Sequence, residues 1–326
     1  MSENSGGVNA GPKAIRPTVN NLDEKDLPEA ARIVRLAFGT FLGAPDPETF
    51  WADRDYVFGR QPAAHVASFG ARLEGKLVGS NFATNWGSVG FFGPLTVRPD
   101  LQEQGIAQAL LARTMEQFGT WKTRHAGLFT FAQSAKHIAL YQKYGFYARF
   151  LTAIMSANAV RQTAAGWSRF SELSQVQQED ALRSCRNLAE TVYPGLDLSG
   201  EIRATHAQGL GDVVLVEGAN GVGAFAVCHY GPRSEAGVDT CFVKFGAVGG
   251  GPSAEQDYLR LLDACEALAV AVGMSRLLTG VNMARHEAYR HLVARGFRTE
   301  IQGVNMHRSN DPGYCRPGVY ILDDWR

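Results

Sequence analysis

Residues 91–111 read FFGPLTVRPDLQEQGIAQALL and predict a strand, a turn and the start of a helix. The strand is indicated by four apolar residues, Phe91, Phe92, Leu95 and Val97. Pro99-Asp100 ends it, and Gly105-Ile106-Ala107 opens an amphipathic segment. Small residues in a first helical turn leave the backbone accessible, and the unpaired N–H groups there favour a phosphate. The alternative is an ordinary β-α junction in which Gly105 only eases packing.

Length and charge limit the classes of protein that the chain can belong to. The 326 residues exceed one typical domain and favour two, each with room for a core. Lysine plus arginine and aspartate plus glutamate each number 32, so the net charge is zero. This balance argues against a nucleic-acid-binding or membrane-surface protein, because both need a basic excess.

The cysteines and the first residues indicate the cellular compartment. The five cysteines have no CxxC spacing, and none lies in the first half: they are Cys185, Cys228, Cys241, Cys265 and Cys315. This usage is expected of buried thiols in a reducing compartment. The chain shows no apolar leader and no apolar run long enough for a membrane span, and residues 1–13 resemble a flexible start. We therefore expect a soluble, cytoplasmic protein.

Residues 14–86 predict a strand, a helix, an irregular segment and a hairpin. A strand over 14–19 is followed by a helix that Asp26 caps and in which Pro28 suits the first turn. Residues 43–61 are rich in proline, aromatic and charged residues and are too long for a plain connector. We interpret them as a wall or lid over a substrate, or as a loop that packs its aromatics over the core edge. A hairpin follows over 65–86, turning at Glu74-Gly75.

The rest of the first half predicts alternating strands and helices. A helix over 105–121 and a buried strand over 127–132 come first. A short helix then ends at Gly145 before a last strand. The predicted order is β, α, several antiparallel β, then β-α-β-α-β.

Two motifs in this half resemble the GNAT superfamily of N-acetyltransferases. The family's pyrophosphate loop, Gln or Arg, two residues, Gly, one residue, then Gly or Ala, stands at residues 102–107 as QEQGIA. Its later motif stands at residues 140–146 as LYQKYGF. The order and spacing of the two motifs, each after a strand, carry the resemblance over residues 14–158. It implies an α/β (α+β) fold, with a mixed, mostly antiparallel sheet, a central splayed strand pair and flanking helices.

The resemblance also implies an acetyl-CoA site and direct attack of an amine on the thioester. The implied cofactor-binding residues are Leu95, Thr96, Val97, Gln102, Glu103, Gln104, Gly105, Ile106, Ala107 and Gln108. Tyr141 stands where family members place a tyrosine that protonates the departing sulfur, although a tyrosine on an apolar helix face is also a common core residue. An oxyanion donor would be a main-chain N–H on the strand, near residues 95–97. Glu103 departs from the family pattern, so its carboxylate must point away from the phosphates.

The general base is not identified by the sequence. The strand over 91–97 carries no carboxylate that could deprotonate an ammonium with a pKa of about 10.4. Asp53, Asp55, His65 and His137 all remain candidates. Because no cysteine precedes Cys185, an acyl-cysteine intermediate within the first half is excluded.

The second half predicts a degenerate copy of the first. At an offset of 151 residues, Gly145-Phe146 matches Gly296-Phe297, and residues 110–111 match 261–262 as Leu-Leu. In the same register Gly105 falls on Gln256 and Tyr141 on Leu292. Ala107 likewise falls on Tyr258. The Gly-rich residues 246–252 could be another phosphate loop or a flexible turn.

These observations predict a tandem organisation: a flexible start at 1–13, a catalytic domain at 14–158, a linker at 159–165 and a degenerate domain at 166–326. The expected activity is acetyl-CoA-dependent transfer to the amine of a small molecule, catalysed in the first half, with the second half helping to form or cover the cleft. No metal is expected, and the chain would be a monomer or a homodimer. The alternatives are a non-catalytic acyl-CoA sensor and a protein lysine or N-terminal acetyltransferase.

Overall fold

The computed structural model describes residues 17–161, 163–219 and 221–326. The predicted flexible start therefore lies outside the described residues. The first half contains β1 (Thr18–Asn21), α1 (Leu27–Leu42), β2 (Val66–Leu73), β3 (Lys76–Trp86), β4 (Val89–Phe92), β5 (Thr96–Val97), α2 (Ile106–Trp121), β6 (His125–Thr130), α3 (Ala135–Gln142) and β7 (Phe146–Asn158).

The second half repeats this order with three differences. It contains β8 (Trp167–Arg169), α4 (Gln175–Val192), α5 (Ser199–Ala207), β9 (Gly211–Gly218), β10 (Gly221–Gly231), β11 (Gly237–Val248), α6 (Ala254–Ala271), β12 (Arg276–Asn282), α7 (His286–Ala294), β13 (Arg298–Arg308) and β14 (Ile321–Leu322). The differences are an additional helix α5, one continuous strand β11 in place of β4 and β5, and an additional last strand β14. The repeat and the tandem fold that the sequence predicted are confirmed.

Local signals explain most element boundaries. Asp26 stands at the N-cap position of α1, but its carboxylate makes no capping bond to the helix and accepts from Asp23 N and from Arg72. Pro28 lies in the first turn, and the helix ends at Gly43 in the left-handed region with φ of 71°. The β2–β3 hairpin turns through Glu74 and Gly75, both at positive φ. Residues 43–65 form turns without a helix or strand, as the sequence predicted.

The predicted continuous strand over residues 91–97 is wrong, because the Gly93-Pro94 pair interrupts it. The peptide bond between these two residues is cis, and Gly93 has φ of 152°, a conformation open to glycine. β4 pairs in parallel with β6 only over residues 89–91, and β5 pairs with β3 instead. The sheet therefore splays open between β5 and β6.

The two halves exchange their last strands, which the sequence did not predict. β13, from the second half, lies against β6 of the first half, and β7, from the first half, lies against β12 of the second. β7 and β13 also pair with each other, so all the strands join one 14-stranded sheet. The predicted boundary after residue 158 stays a prediction, but neither half has a complete sheet without the other's strand.

The C-terminal tail fills the splay of the second half. β11 pairs in parallel with β12 as far as Val243, and β14 then pairs with β11 at Gly246 and Ala247. At the offset of 151 residues these two positions correspond to Leu95 and Thr96. Leu322 of β14 is fully buried in the core of the second half.

The tail then crosses to the first half. The indole of Trp325 is 2% exposed and lies so close to Gly127 of β6 that a Cβ at Gly127 would stand 2.1 Å from it. Its Nε1 donates a hydrogen bond to the Tyr314 hydroxyl at 2.8 Å. The tail therefore contacts both halves.

The described residues also show the state of the cysteines and whether membrane-spanning helices or metal-binding clusters are present. All five cysteines are free and buried. Within the three described ranges, no helix has the length and apolar character needed to cross a bilayer. The same residues contain no cluster of three or more His, Cys, Asp or Glu side chains placed to hold a metal ion.

Replacing Gly127 tests whether the tail holds the fold together. We expect Gly127→Ala to lower the free energy of unfolding by about 1–3 kcal/mol, because the new methyl group overlaps Trp325. Urea unfolding followed by circular dichroism measures the change. Gly119→Ala in α2 is the control, since its Cβ meets nothing within 4 Å and alanine suits a helix interior. Equal stability of the two variants would contradict the docked tail.

Candidate functional site

A cavity of about 640 Å³ opens at the splay of the first half. All the predicted site residues line it except Gln104: Leu95, Thr96, Val97, Gln102, Glu103, Gly105, Ile106, Ala107, Gln108 and Tyr141. The interrupted strand, the loop before α2 and the helix α3 thus contribute to one space. The structure brings the two sequence motifs together, although it does not by itself assign roles to them.

The loop before α2 presents free backbone donors. Glu103 and Gly105 both have positive φ, 66° and 81°, which bends the chain sharply into the helix. The backbone N–H groups of residues 104–108 donate no hydrogen bond within the described part of the chain. A Cβ on Gly105 would meet nothing within 4 Å. The first turn of this 16-residue helix therefore offers an open, electropositive surface.

Two lysines line the cavity around this loop. Lys136, at the start of α3, donates a hydrogen bond from Nζ to Gln102 Oε1 at 2.8 Å. Lys143, just after α3, also lines the cavity. The loop residue Glu103 is exposed. The lysines give this end of the cavity a positive charge that favours anions.

The remaining edge of the opening belongs to β5. Thr96 is buried, and its hydroxyl lies 3.2 Å from that of Ser80 on β3. β5 pairs with β3 along one edge, and its other edge has no strand partner among the described residues. Its free backbone groups can therefore pair with an extended ligand.

Tyr141 lies on the buried side of α3 and faces the cavity. Its ring packs edge-on against Phe92, with the centroids 5.8 Å apart. Within the described part of the chain its hydroxyl makes no hydrogen bond to another residue, and burial raises the pKa of the phenol. The hydroxyl therefore keeps its proton at neutral pH and is available to a ligand.

Of the four candidate bases, only His137 lines the cavity. Its Nδ1 lies 2.8 Å from the Ser134 hydroxyl, and burial, with help from Lys136, lowers its pKa. Asp55 accepts backbone hydrogen bonds from Val57 and Phe58, which fixes it as a turn residue.

The other two candidates are engaged elsewhere. His65 Nε2 lies 3.0 Å from Glu201 Oε2, and Asp53 Oδ1 lies 3.9 Å from Arg54 Nε. Neither lines the cavity. Their positions away from the interrupted strand weigh against a role as base.

Part of the cavity wall is aromatic, and the sequence analysis did not identify its residues. Phe38 and Phe41 come from α1, Trp51 and Tyr56 from the irregular segment, and Phe131 from the end of β6. We call these five residues the aromatic end. The aromatic composition of residues 43–61 was the signal for two of them, Trp51 and Tyr56, through which this segment forms part of the cavity wall.

The exchanged strands and the C-terminal tail also contribute residues to the cavity wall. Ile301 on the exchanged strand β13 lines it, together with Ile154 on β7. Trp325 and Arg326 of the tail line it as well. No local pattern indicated these contacts, because they depend on the strand exchange.

A buried ionic cluster lies behind the interrupted strand. The Arg60 guanidinium binds both carboxylate oxygens of Glu235, at 2.8 and 2.9 Å, and donates to the carbonyl oxygen of Gly93. It also donates to the carbonyl oxygen of Arg326 at 2.8 Å. Burial would raise the pKa of the Glu235 carboxyl, but the charges of Arg60 and Lys244 outweigh it and hold this pKa well below its usual range. The cluster thereby ties the tail and the strand interruption together.

Comparisons with known proteins agree with this architecture. Residues 30–146 match the family model described as acetyltransferase (GNAT) family. No curated protein matches the sequence of the chain. A protein from Pyrococcus horikoshii assigned as an acetyltransferase has a similar fold, with a TM-score of 0.62, 13% identity and coverage of 98% of this chain and 96% of that chain.

Two further structures are similar along most of their length. A GCN5-related N-acetyltransferase from Sphaerobacter thermophilus has a TM-score of 0.56 and 12% identity, and 93% of this chain and 98% of that chain are covered. A tandem GNAT protein from the clavulanic acid biosynthesis pathway has a TM-score of 0.53 and 14% identity, with 91% and 99% covered. At such identities the likeness shows the fold, which is that of tandem GNAT proteins.

Two buried histidines, His229 and His307, should make the free energy of unfolding fall at acidic pH. Burial lowers the pKa of His229 to about 4 and that of His307 to about 3. In the unfolded chain the pKa is about 6.5, so the unfolded state binds protons first as the pH falls. The contribution of each histidine is complete above pH 6.5 and is lost progressively toward its folded pKa. Between pH 7.5 and 5.0 we expect each to remove about 2 kcal/mol from the free energy of unfolding.

Urea titrations at the two pH values measure this loss. His307→Gln should reduce the difference between them by about 2 kcal/mol. His286→Gln, at an exposed position on α7, is the control that should leave the difference unchanged. A pH dependence unaffected by His307→Gln would show that this histidine is not held uncharged in the folded protein.

Proposed function

Since residues 30–146 form a domain of the GNAT acetyltransferase family, we propose that the chain is an acetyl-CoA-dependent N-acetyltransferase with its catalytic centre in the first-half cavity. The observation that carries the proposal is the meeting of three features in one space: free N–H groups before α2, the unpaired edge of β5, and the Tyr141 hydroxyl. The acceptor is the amine of a small molecule.

The chain's own groups fit acetyl-CoA. The N–H groups of residues 104–108 and the ammonium groups of Lys136 and Lys143 would hold its phosphates. The free edge of β5 would pair with the amides of the pantetheine arm. Acetyl-CoA supplies an activated acetyl thioester, and the donors on β5 are suited to an oxyanion formed from it.

Tyr141 is assigned as the proton donor to the leaving sulfur. Its phenol carries a proton at neutral pH because burial raises its pKa. A thiolate with an ordinary pKa of about 8.5 accepts that proton when it leaves. The family motif at residues 140–146 supports the same assignment.

The C-terminal tail occupies the cleft of the second half, which supports a single catalytic centre in the chain. β14 pairs with Gly246 and Ala247, whose counterparts in the first half are the proposed pantetheine-binding residues. Tyr258 is fully buried near the start of α6, and its hydroxyl donates to the carbonyl oxygen of Ala288 at 3.2 Å. The second cleft is thus filled by the protein. Of its Gly-rich residues 246–252, the first three belong to β11, and residues 249–252 are assigned as a turn and not as a phosphate loop.

A second candidate is a non-catalytic acyl-CoA sensor. It is favoured by the lining of the cavity, where the only carboxylate among the described residues is that of Glu103 on the phosphate side. An enzyme acting on a strongly basic amine would need a base near the acceptor. The same pocket with no acyl transfer would be a sensor.

Tyr141→Phe separates the enzyme from the sensor. We expect the turnover number to fall by about 10²–10⁴, because the general acid is lost, while acetyl-CoA affinity stays unchanged. Thiol release measures turnover and calorimetry measures affinity. The control is Tyr147→Phe on β7, which is 44% exposed and does not line the cavity. Full activity in Tyr141→Phe would remove Tyr141 from the mechanism, and a wild type that binds acetyl-CoA without turnover would support the sensor.

Lys136→Gln tests the proposed phosphate end. We expect the dissociation constant of CoA to rise roughly tenfold at low salt, because a charge-assisted contact to a phosphate is lost. The rise should be smaller at high salt, because salt already screens this contact in the wild-type protein. Calorimetry at two ionic strengths measures the effect. Lys122→Gln, an exposed lysine at the far end of α2, should leave the dissociation constant unchanged. Equal affinities of both variants would place the phosphates elsewhere.

A further inference from the structure

The aromatic end is a set of rings in mutual contact. Phe41 and Phe131 lie 5.1 Å apart between centroids, Phe38 and Trp51 lie 5.2 Å apart, and Trp51 and Tyr56 lie 5.7 Å apart. Such rings present flat apolar surfaces to whatever occupies the cavity. A ligand with a flat apolar ring can pack against these surfaces.

The charges around the cavity are unfavourable for a cationic ligand. Glu103 provides the single side-chain carboxylate among the described lining residues, and the guanidinium of Arg326, which also lines the cavity, is paired with Asp324 at 3.3 Å. Glu103 belongs to the loop before α2, where the phosphates are proposed to bind. A positively charged acceptor would therefore enter without a counter-ion.

Two arginines already lie over two of the rings. The guanidinium of Arg54 lies 5.8 Å from the Trp51 ring centroid, and that of Arg60 lies 5.8 Å from the Tyr56 centroid. These cations draw on the negative charge of the ring faces that would otherwise attract an ammonium. The aromatic end is therefore less suited to a cation than an ordinary aromatic cage.

The cavity also lacks an effective base for a strongly basic amine. His137 is the one imidazole among its described lining residues, and its pKa is lowered by burial and by Lys136. A lysine-like amine with a pKa of about 10.4 is uncharged in roughly one molecule in a thousand near pH 7.4. An amino group bonded directly to an aromatic ring is uncharged at that pH, because the ring delocalises its lone pair.

Resting on the proposed function, we infer that the acetyl acceptor is an aromatic amine, with the amino group attached directly to an aromatic ring. Its ring stacks in the aromatic end, and its uncharged nitrogen faces the thioester. An aromatic amine is already uncharged and needs no base to deprotonate it before attack. This acceptor therefore fits an aromatic end whose described residues carry no carboxylate.

The transfer balances with the groups named. The nitrogen lone pair forms a bond to the thioester carbonyl carbon, and the carbon–sulfur bond breaks. Tyr141 gives its proton to the sulfur, and the proton lost by the acylated nitrogen restores the phenol. The products are an N-aryl acetamide and the thiol of CoA, with no oxidation or reduction.

The test compares two acceptors that carry the same ring. One has the amino group on the ring, and the other has it at the end of a two-carbon side chain, where it is a cation at neutral pH; a lysine peptide is the third acceptor. Thiol release gives kcat/KM from pH 6.5 to 9. We expect a value for the ring amine that is at least 100-fold higher at pH 7 and almost independent of pH. For the side-chain amine we expect about a tenfold rise per pH unit, following its uncharged fraction.

Variants of the wild-type protein test the location. Trp51→Leu and Phe41→Leu should each raise the KM for the ring amine roughly tenfold and leave the KM for acetyl-CoA unchanged. The matched control is Phe150→Leu on β7, an aromatic residue that is 61% exposed and outside the cavity. Thermal melting of each variant checks that it is folded, and the comparison of acceptors in the wild type needs no variant.

The outcomes separate this inference from the proposed function. Preferred transfer to the side-chain amine or to the lysine peptide at pH 7 would overturn the aromatic-amine inference and leave the acetyltransferase intact. Binding of acetyl-CoA with no transfer to any of the three acceptors or to a broad panel of other amines would overturn the proposed function itself. An unchanged KM for the ring amine in both leucine variants would also overturn the inference.

Discussion

The splayed strand pairs impose the constraint on which the rest of the structure depends. Wherever two parallel strands separate, backbone donors and acceptors lose their partners and must find others. In the second half β14 pairs with β11 at Gly246 and Ala247, so the protein fills its own opening. In the first half the corresponding edge of β5 is free, and a cavity of about 640 Å³ lies beside it. One architecture thus produces a closed copy and an open one.

The strand exchange gives the open copy part of its cavity wall. Because β13 lies beside β6, Ile301 of the second half faces the cavity of the first. The C-terminal tail also passes from the second half to the first. Beyond β14, which fills the opening in the second half, it brings Trp325 against Gly127 of β6. Arg60 holds the tail and the strand interruption through two carbonyl oxygens. Closure of the second cleft and construction of the first cavity are therefore parts of one arrangement.

Residue patterns predicted much of the fold and one end of the site. The α1 boundaries follow from Pro28 and Gly43, and the β2–β3 turn follows from Glu74-Gly75, because the backbone preferences of proline and glycine act over a few residues. The loop before α2 was predicted in the same way, from the small residues that open the helix. The strand over 91–97 was predicted too long, since the Gly93-Pro94 interruption was not weighed against the apolar pattern around it.

The sequence by itself determined the local elements, the repeat at an offset of 151 residues, and the loop whose N–H groups stay free before α2. These depend on interactions between residues close in the chain. Tertiary structure decided which strand lies beside β6, which cleft the tail closes, and which aromatic residues meet at the aromatic end. Those outcomes depend on contacts between residues up to 266 positions apart, such as Arg60 with Arg326, and no local pattern records such a contact.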